Sequence, residues 1–229
     1  MSDQLAGLVA CVHGLGSALD ATRRGAEETL GRFKADPQAW RQCCEFMQLT
    51  TEPQVLWYCC SILEDTVQRR WRALLPAERQ YVRGFALHFT LESSSIALVT
   101  KKATQVCVHM AQRDWPQEWP DFLSHLAAVA SSGSASSLKA FGVVGLLVEI
   151  VGLAPSSSRS VGGLRLHSTR RAQLRELMRA QIPPLVELLR VPLERDSAPA
   201  ARAAGGSSEE RCAALLRVRR RAHGSVPRP

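Results

Sequence analysis

Arg113-Asp114-Trp115-Pro116-Gln117-Glu118-Trp119-Pro120-Asp121-Phe122-Leu123 is the stretch that decides the fold. Two Trp-Pro steps stand four residues apart in it. A residue before proline is pushed out of the right-handed helical region, so a helix running from Ile96 is predicted to stop by Trp115. A new helix is predicted to start at Pro120, because proline suits the first helical position. One tight turn fits between the two. Trp119, Phe122, Leu123 and Leu126 then continue at helical spacing, which lets both indoles pack back onto the helix just ended.

The same alternation of apolar stripe and breaker extends in both directions. On the N-terminal side a first stripe of Leu5, Leu8, Val9, Val12, Leu15 and Leu19 is interrupted by Gly14 and Gly16. The cap-like Asp20 and Thr22 precede Ala26, Leu30 and Phe33. Asp36-Pro37 restarts the pattern with Trp40, Cys44 and Met47. Pro53 restarts it again with Val55, Cys59, Ile62, Leu63, Thr66, Val67 and Trp71. Pro76 opens a helix through Val82, Phe85, Ala86 and Phe89. Serines 93 to 95 then precede one through Ile96, Val99, Ala103, Val106, Cys107 and Met110. Beyond the hinge come Phe122–Ala130, a Ser/Gly turn at 131–137 and an apolar helix from Leu138 to Leu153. Residues 155–167 read as a loop. Ser168-Thr169 then cap a helix through Leu174, Leu177, Met178, Leu185, Leu188 and Leu189, which Pro183-Pro184 should divide near Gln181.

First helices of these pairs are predicted near residues 37, 77 and 118, and second helices near 53, 95 and 138. The offset of about 40 residues is that of HEAT-type helical pairs, although the sequence itself does not repeat legibly. Each pair leaves one face that the next pair covers, so the predicted fold is all-α, a HEAT-like helical-hairpin solenoid or α-α superhelix. A compact helical bundle is the alternative with the same loop spacing. The predicted organisation is residues 1–92 and 93–194 as helical repeats and 195–229 as a disordered basic tail, save for a short helix at Glu210–Arg221.

Composition agrees with helix. The chain has 229 residues, 45% of them hydrophobic, so it can bury a real core. Ala, Leu, Arg, Glu and Gln dominate over β-branched runs. A net charge of +8 invites a nucleic-acid reading, but residues 195–229 hold eight arginines against three acids, five of those eight charges. The body is nearly balanced, and Arg219-Arg220-Arg221 has no interleaved aromatics, so no specific nucleic acid is expected as a partner. No stretch reaches the roughly 20 apolar residues a membrane span needs, and no basic region precedes Leu5–Leu19 as a signal peptide would require.

Catalysis finds no footing. Phosphate loop, nucleophile elbow, zinc-protease and dinucleotide fingerprints are missing. The six histidines are scattered away from carboxylates and cysteines at ligand spacing. Seven cysteines include the adjacent pairs Cys43-Cys44 and Cys59-Cys60. Neighbours on a helix diverge by about 100°, so neither pair chelates one zinc as C-x-x-C does. They read as reduced, buried hydrophobes. Of five tryptophans, four sit in or beside an apolar stripe or a helix junction, where packing is the ordinary role. Glu64-Asp65 and Lys101-Lys102 lie off the stripes of two successive second helices, as solvated faces do.

Taken together, Glu27-Glu28-x-Leu30, Ala39-Trp40-x-x-Cys43-x-x-Phe46, Leu63-Glu64 with Trp71, and Lys102 leading into Arg113-Asp114-Trp115-Pro116 resemble the N-terminus of an importin-β/exportin family receptor. Residues 26–92 resemble the importin-β N-terminal domain and residues 96–193 the exportin-1-like domain. Ala39-Trp40, the Arg113-Asp114-Trp115-Pro116 hinge and Arg170-Arg171-Ala172-Gln173-Leu174-Arg175-Glu176-Leu177 fall in an order and at intervals similar to those of the exportin branch that carries profilin-bound actin. No resemblance extends past Arg195, and Pro183-Pro184 interrupts what resembles a continuous family helix.

The resemblance implies a HEAT solenoid several times longer than this chain, without enzymatic activity or cofactor. It implies Ran in its GTP form as a partner, a protein cargo of which profilin-bound actin is the candidate, nucleoporins, and shuttling between nucleus and cytoplasm. It puts the second helices at 53–71 and 95–112 on the Ran-facing side, with Glu64, Asp65, Lys101 and Lys102 as contact candidates. A HEAT-like structural scaffold without Ran function is the alternative.

Overall fold

A computed structural model of the chain describes residues 2–93, 96–132, 134, 136–150 and 168–181. Among them the secondary structure is helix, turn and bend, with no strand, which is the all-α, HEAT-like class the sequence implies. The helices are α1 (Ser2–Gly14), α2 (Asp20–Ala35), α3 (Ala39–Leu49), α4 (Pro53–Asp65), α5 (Pro76–Glu92), α6 (Ala97–Asp114), α7 (Phe122–Ser131), α8 (Ser136–Ile150) and α9 (residues 168–181). The expectations for the 155–167 loop, the Pro183-Pro184 break and the 195–229 tail lie outside the described residues.

Two compact units divide the described chain, one of residues 1–89 with 93–106, the other of residues 90–92 with the chain from Cys107 onward. In the first, α1 packs on α2 and α3 on α4, each pair joined by a short link and so antiparallel, while α4 also touches α1. Gly14 allows the close approach at the end of α1, since a Cβ there would sit 3.1 Å from that of Ala26. The core runs through Trp40, Phe46, Val55, Cys59, Leu63 and Trp71, all buried. Phe33 flanks it with ring centroids 6.4 Å from both Phe46 and Tyr58, and the Tyr58 hydroxyl donates to the Leu30 carbonyl at 2.9 Å.

The helix from Pro53 does not run regularly to Trp71. Beyond Asp65 it widens into a π turn over Thr66–Arg70 and closes with a 3-10 turn at Trp71–Ala73. The widened turn brings the Arg70 guanidinium onto the C-terminus of α2, where it donates to the Lys34 carbonyl at 2.9 Å and the Asp36 carbonyl at 3.1 Å. Those are carbonyls a helix end leaves without an intrahelical partner. Pro76 then starts α5, and Glu78 reaches back to accept from the Leu75 N–H at 3.0 Å, one half of a capping box.

In the second unit α7 packs on α8, and the hinge behaves much as its prolines dictate. Helix α6 ends at Asp114, one residue before Trp115, and the Trp115–Pro116 peptide is cis. The next helix begins at Phe122 rather than Pro120. Residues 119 to 121 are taken up by the turn, with the Phe122 N–H donating to the Trp119 carbonyl at 3.3 Å. Both indoles are buried, and the Trp119 ring lies 4.5 Å from that of Phe122. Arg170 of α9 locks the end of α6: its guanidinium donates to the carbonyls of Gln112 at 3.0 Å, Arg113 at 3.3 Å and Trp115 at 2.5 Å. Burial lowers the pKa of that guanidinium, and nearby Asp114 partly offsets the shift.

The first apolar stripe fails at its end. Helix α1 stops at Gly14, so Leu15 and Leu19 fall out of helical phase and are exposed. Asp20 opens α2 from inside, with Leu19 at the capping position, and pairs with Arg23 at 2.5 Å.

Candidate functional site

The four charged candidates sit on α4 and the first half of α6, all within the first unit. Glu64 and Lys102 meet: the ammonium and the carboxylate form an ion pair between side chains only 16% and 13% exposed. Asp65 is occupied differently. Its carboxylate lies 3.0 Å from Lys34 of α2 and 3.1 Å from Arg69 in the π turn. Asp65 and Arg70 thus hold the end of α2 from two neighbouring positions. Lys101 is exposed and makes no ion pair among the described residues.

The tryptophans divide as the apolar stripes and the hinge imply. Trp40, Trp71, Trp115 and Trp119 are buried, whereas Trp57 on α4 is 40% exposed. Its neighbour Tyr58 faces α2 instead, so Trp57 is turned outward by about one residue's rotation of the helix. The Lys102 Nζ stands 5.4 Å from the Trp57 ring centroid, within cation–π range. The signal lay in the Trp57-Tyr58 step, where adjacent helical positions cannot both face one neighbour.

Around Trp57 the surface opens into a groove of about 730 Å³. Val12, Leu15, Pro53, Trp57, Ile96 and Leu98 supply its apolar walls, and His13 and Tyr58 also line it. At one edge the His13 Nε2 and a Glu52 carboxylate oxygen lie 2.9 Å apart.

Among the described residues no cluster of three or more histidines, cysteines or acids could hold a metal ion. Cys43, Cys44, Cys59 and Cys60 are buried between α3 and α4. Burial and then the hydrogen bond to Cys59 push the Cys43 thiol far up, and burial does the same to Cys44. Burial also raises Cys107 to about 12, against a smaller opposing effect of its contact with Thr90. Such thiols stay protonated and are poor nucleophiles.

Among the described residues, successive helical hairpins display charged and apolar side chains on their second helices, as helical-repeat proteins do. Residues 26–92 match the importin-beta N-terminal domain, and residues 96–217 match the exportin 1-like protein family. The chain belongs to the importin-β/exportin family of nuclear transport receptors, and it matches that family's N-terminal region. The second match continues to residue 217, past residue 194, where the helical resemblance was expected to end.

Exportin-6-A of Xenopus laevis is 26% identical over 176 residues, covering 75% of this chain and 14% of its own length. Exportin-6 of Mus musculus is 26% identical over 174 residues, covering 73% of this chain and 14% of its own length. Exportin-1 of Schizosaccharomyces pombe is 24% identical over 119 residues, covering 49% and 11%. The chain therefore spans about a seventh or less of these relatives. Among the described residues no helix is long and apolar enough to cross a membrane.

Proposed function

We propose that this chain is the Ran-binding N-terminal part of a nuclear export receptor, acting in the export of protein cargo through nuclear pores, with profilin-bound actin as the candidate cargo. One observation carries the reading: the importin-beta N-terminal and exportin 1-like matches follow each other in order over residues 26–92 and 96–217, and Exportin-6 relatives align over three quarters of the chain. Ran in its GTP form engages the charged surface of α4 and α6 that bears Glu64, Asp65, Lys101 and Lys102. Nucleoporins are contacted in transit, and the receptor shuttles between nucleus and cytoplasm. The mechanism is linkage, in which Ran and cargo favour the same conformation and each tightens binding of the other.

Immobilised Ran loaded with a non-hydrolysable GTP analogue or with GDP provides the test. The GTP form should bind about tenfold or more tightly, roughly 1.4 kcal/mol. Lys101→Glu is the cleanest variant, because Lys101 has no ion pair among the described residues to disturb. It should weaken the GTP complex and leave folding unchanged. Binding that ignores the nucleotide, or its absence, would favour a HEAT-like structural scaffold without Ran-dependent transport. Adding profilin–actin should tighten the Ran complex if that cargo is right.

A further inference from the structure

Burial decides which charges of the α4 and α6 surface a partner can reach. Glu64 and Asp65 are both ion-paired, and their side chains are only 13% and 12% exposed. The cations over Asp65 stand out into solvent. The Lys34 side chain is 47% exposed and that of Arg69 73%, with their nitrogens 3.0 and 3.1 Å from the same oxygen, Asp65 Oδ1. One carboxylate cannot neutralise two cations, so a positive charge is left over. Lys102 is taken up by Glu64, while Lys101 is exposed and makes no ion pair among the described residues.

This balance contains no histidine, so it holds across neutral pH. Glu52, which meets His13, stands just ahead of α4, about 18 Å along the helix from Glu64 and beyond a Debye length at physiological salt. Either cation alone would satisfy Asp65, so the second is surplus to the fold. Arg69 is also equipped for another acceptor. Its Nε is the nitrogen that meets Asp65, which leaves the two terminal nitrogens as donors for a carboxylate from outside the chain.

We infer, resting on the Ran reading, that the partner presents an acidic face to this surface. Arg69, Lys34 and Lys101 make the contacts, and Glu64 and Asp65 are positioning residues that hold cations in place from beneath. Carboxylates on the face that Ran in its GTP form turns to α4 and α6 complete the charge balance that Asp65 leaves open. Exposed cations of this kind steer encounter and repel basic surfaces, so they decide which protein docks and how fast more than how tightly. The contact set thereby gains Arg69 and Lys34, and the two acids change role.

Ran loaded with a non-hydrolysable GTP analogue is titrated into the full chain, the unmutated chain first. Arg69→Ala should weaken the complex about fivefold and flatten its dependence on salt. Asp65→Asn should tighten it about threefold, because it releases both cations, whereas an acid that itself met a basic partner would lose affinity on the same change. A weaker Asp65→Asn complex, or an Arg69→Ala complex unchanged in affinity and salt dependence, overturns the inference and leaves the Ran reading standing. A second measurement needs no Ran. Amide relaxation in the free chain with anionic and cationic nitroxide co-solutes maps the local potential, and the anionic probe should be enriched severalfold over residues 65–69 and 101. Enrichment of the cationic probe there overturns the inference whatever Ran does. No Ran binding by the unmutated chain fails the Ran reading, and the nitroxide map then decides the inference alone.

Discussion

The Lys102 ammonium on α6 is shared between the Glu64 carboxylate on α4, with which it pairs, and the Trp57 ring, whose centroid lies 5.4 Å away. One side chain thus couples a largely buried ion pair to an exposed aromatic. Because the pair is only 16% and 13% exposed, it is screened less than a surface pair. Lys102→Met should cost about 1–3 kcal/mol, since it strips the cation from a carboxylate held away from water. Lys102→Met combined with Glu64→Leu should recover a good part of that loss. Urea unfolding of the single and double variants checks the coupling, and additive losses would show that the pair is energetically independent.

Asp65 and Arg70 should act together on the end of α2. Arg70→Ala leaves the Lys34 and Asp36 carbonyls without their guanidinium donor. The expected cost is about 1–2 kcal/mol, with faster amide exchange confined to the last turn of α2. Asp65→Asn should loosen the same turn through Lys34. Exchange that rises evenly over the first unit would contradict this local role.

Arg170 fastens the α9 helix to the Trp-Pro turn through three carbonyls, and only a planar fork reaches them all. Arg170→Lys should therefore recover little of the roughly 2 kcal/mol lost in Arg170→Ala. Hydrogen exchange over residues 168–181 reads this directly. Full protection in the lysine variant would show that charge, not fork geometry, holds the contact.

The buried thiols predict an alkaline limb. Cys107 is held near 12 in the folded chain, whereas an unfolded thiol ionises near 9, so unfolding releases a proton between those values. Stability is unaffected below about pH 9 and falls above it, by about 1.4 kcal/mol per pH unit for this thiol. Cys107→Ala should flatten that limb in proportion, at some cost from the cavity it leaves. In the same chain at pH 8, mass spectrometry after alkylation should find Cys11 modified ahead of Cys43, Cys44, Cys59, Cys60 and Cys107, because Cys11 alone among these six is not buried.

Much of the architecture was legible because it depends on local rules. Prolines at 53 and 76 begin helices, and the Trp115-Pro116 step ends one at Asp114, since ring geometry acts on the adjacent residue without help from the fold. The candidate charges were legible only as residues off the apolar stripes. The pairing of Glu64 with Lys102 and of Asp65 with Lys34 was not, because partners 31 to 38 residues apart meet only once the helices pack. Leu15 and Leu19 misled for a related reason: helical phase carries a stripe forward on paper, but α1 ends at Gly14, where Ala26 presses close.

By itself the sequence determined the helical class, the positions where helices break, and membership in the importin-β/exportin family, because hydrophobic period and proline chemistry are written residue by residue. Tertiary structure alone decided that Lys102 meets both Glu64 and the Trp57 ring, that Arg70 and Arg170 close the ends of other helices, and that an apolar groove opens around Trp57. Which way a helix turns about its own axis is set by the neighbours it packs against, and no local pattern carries that information.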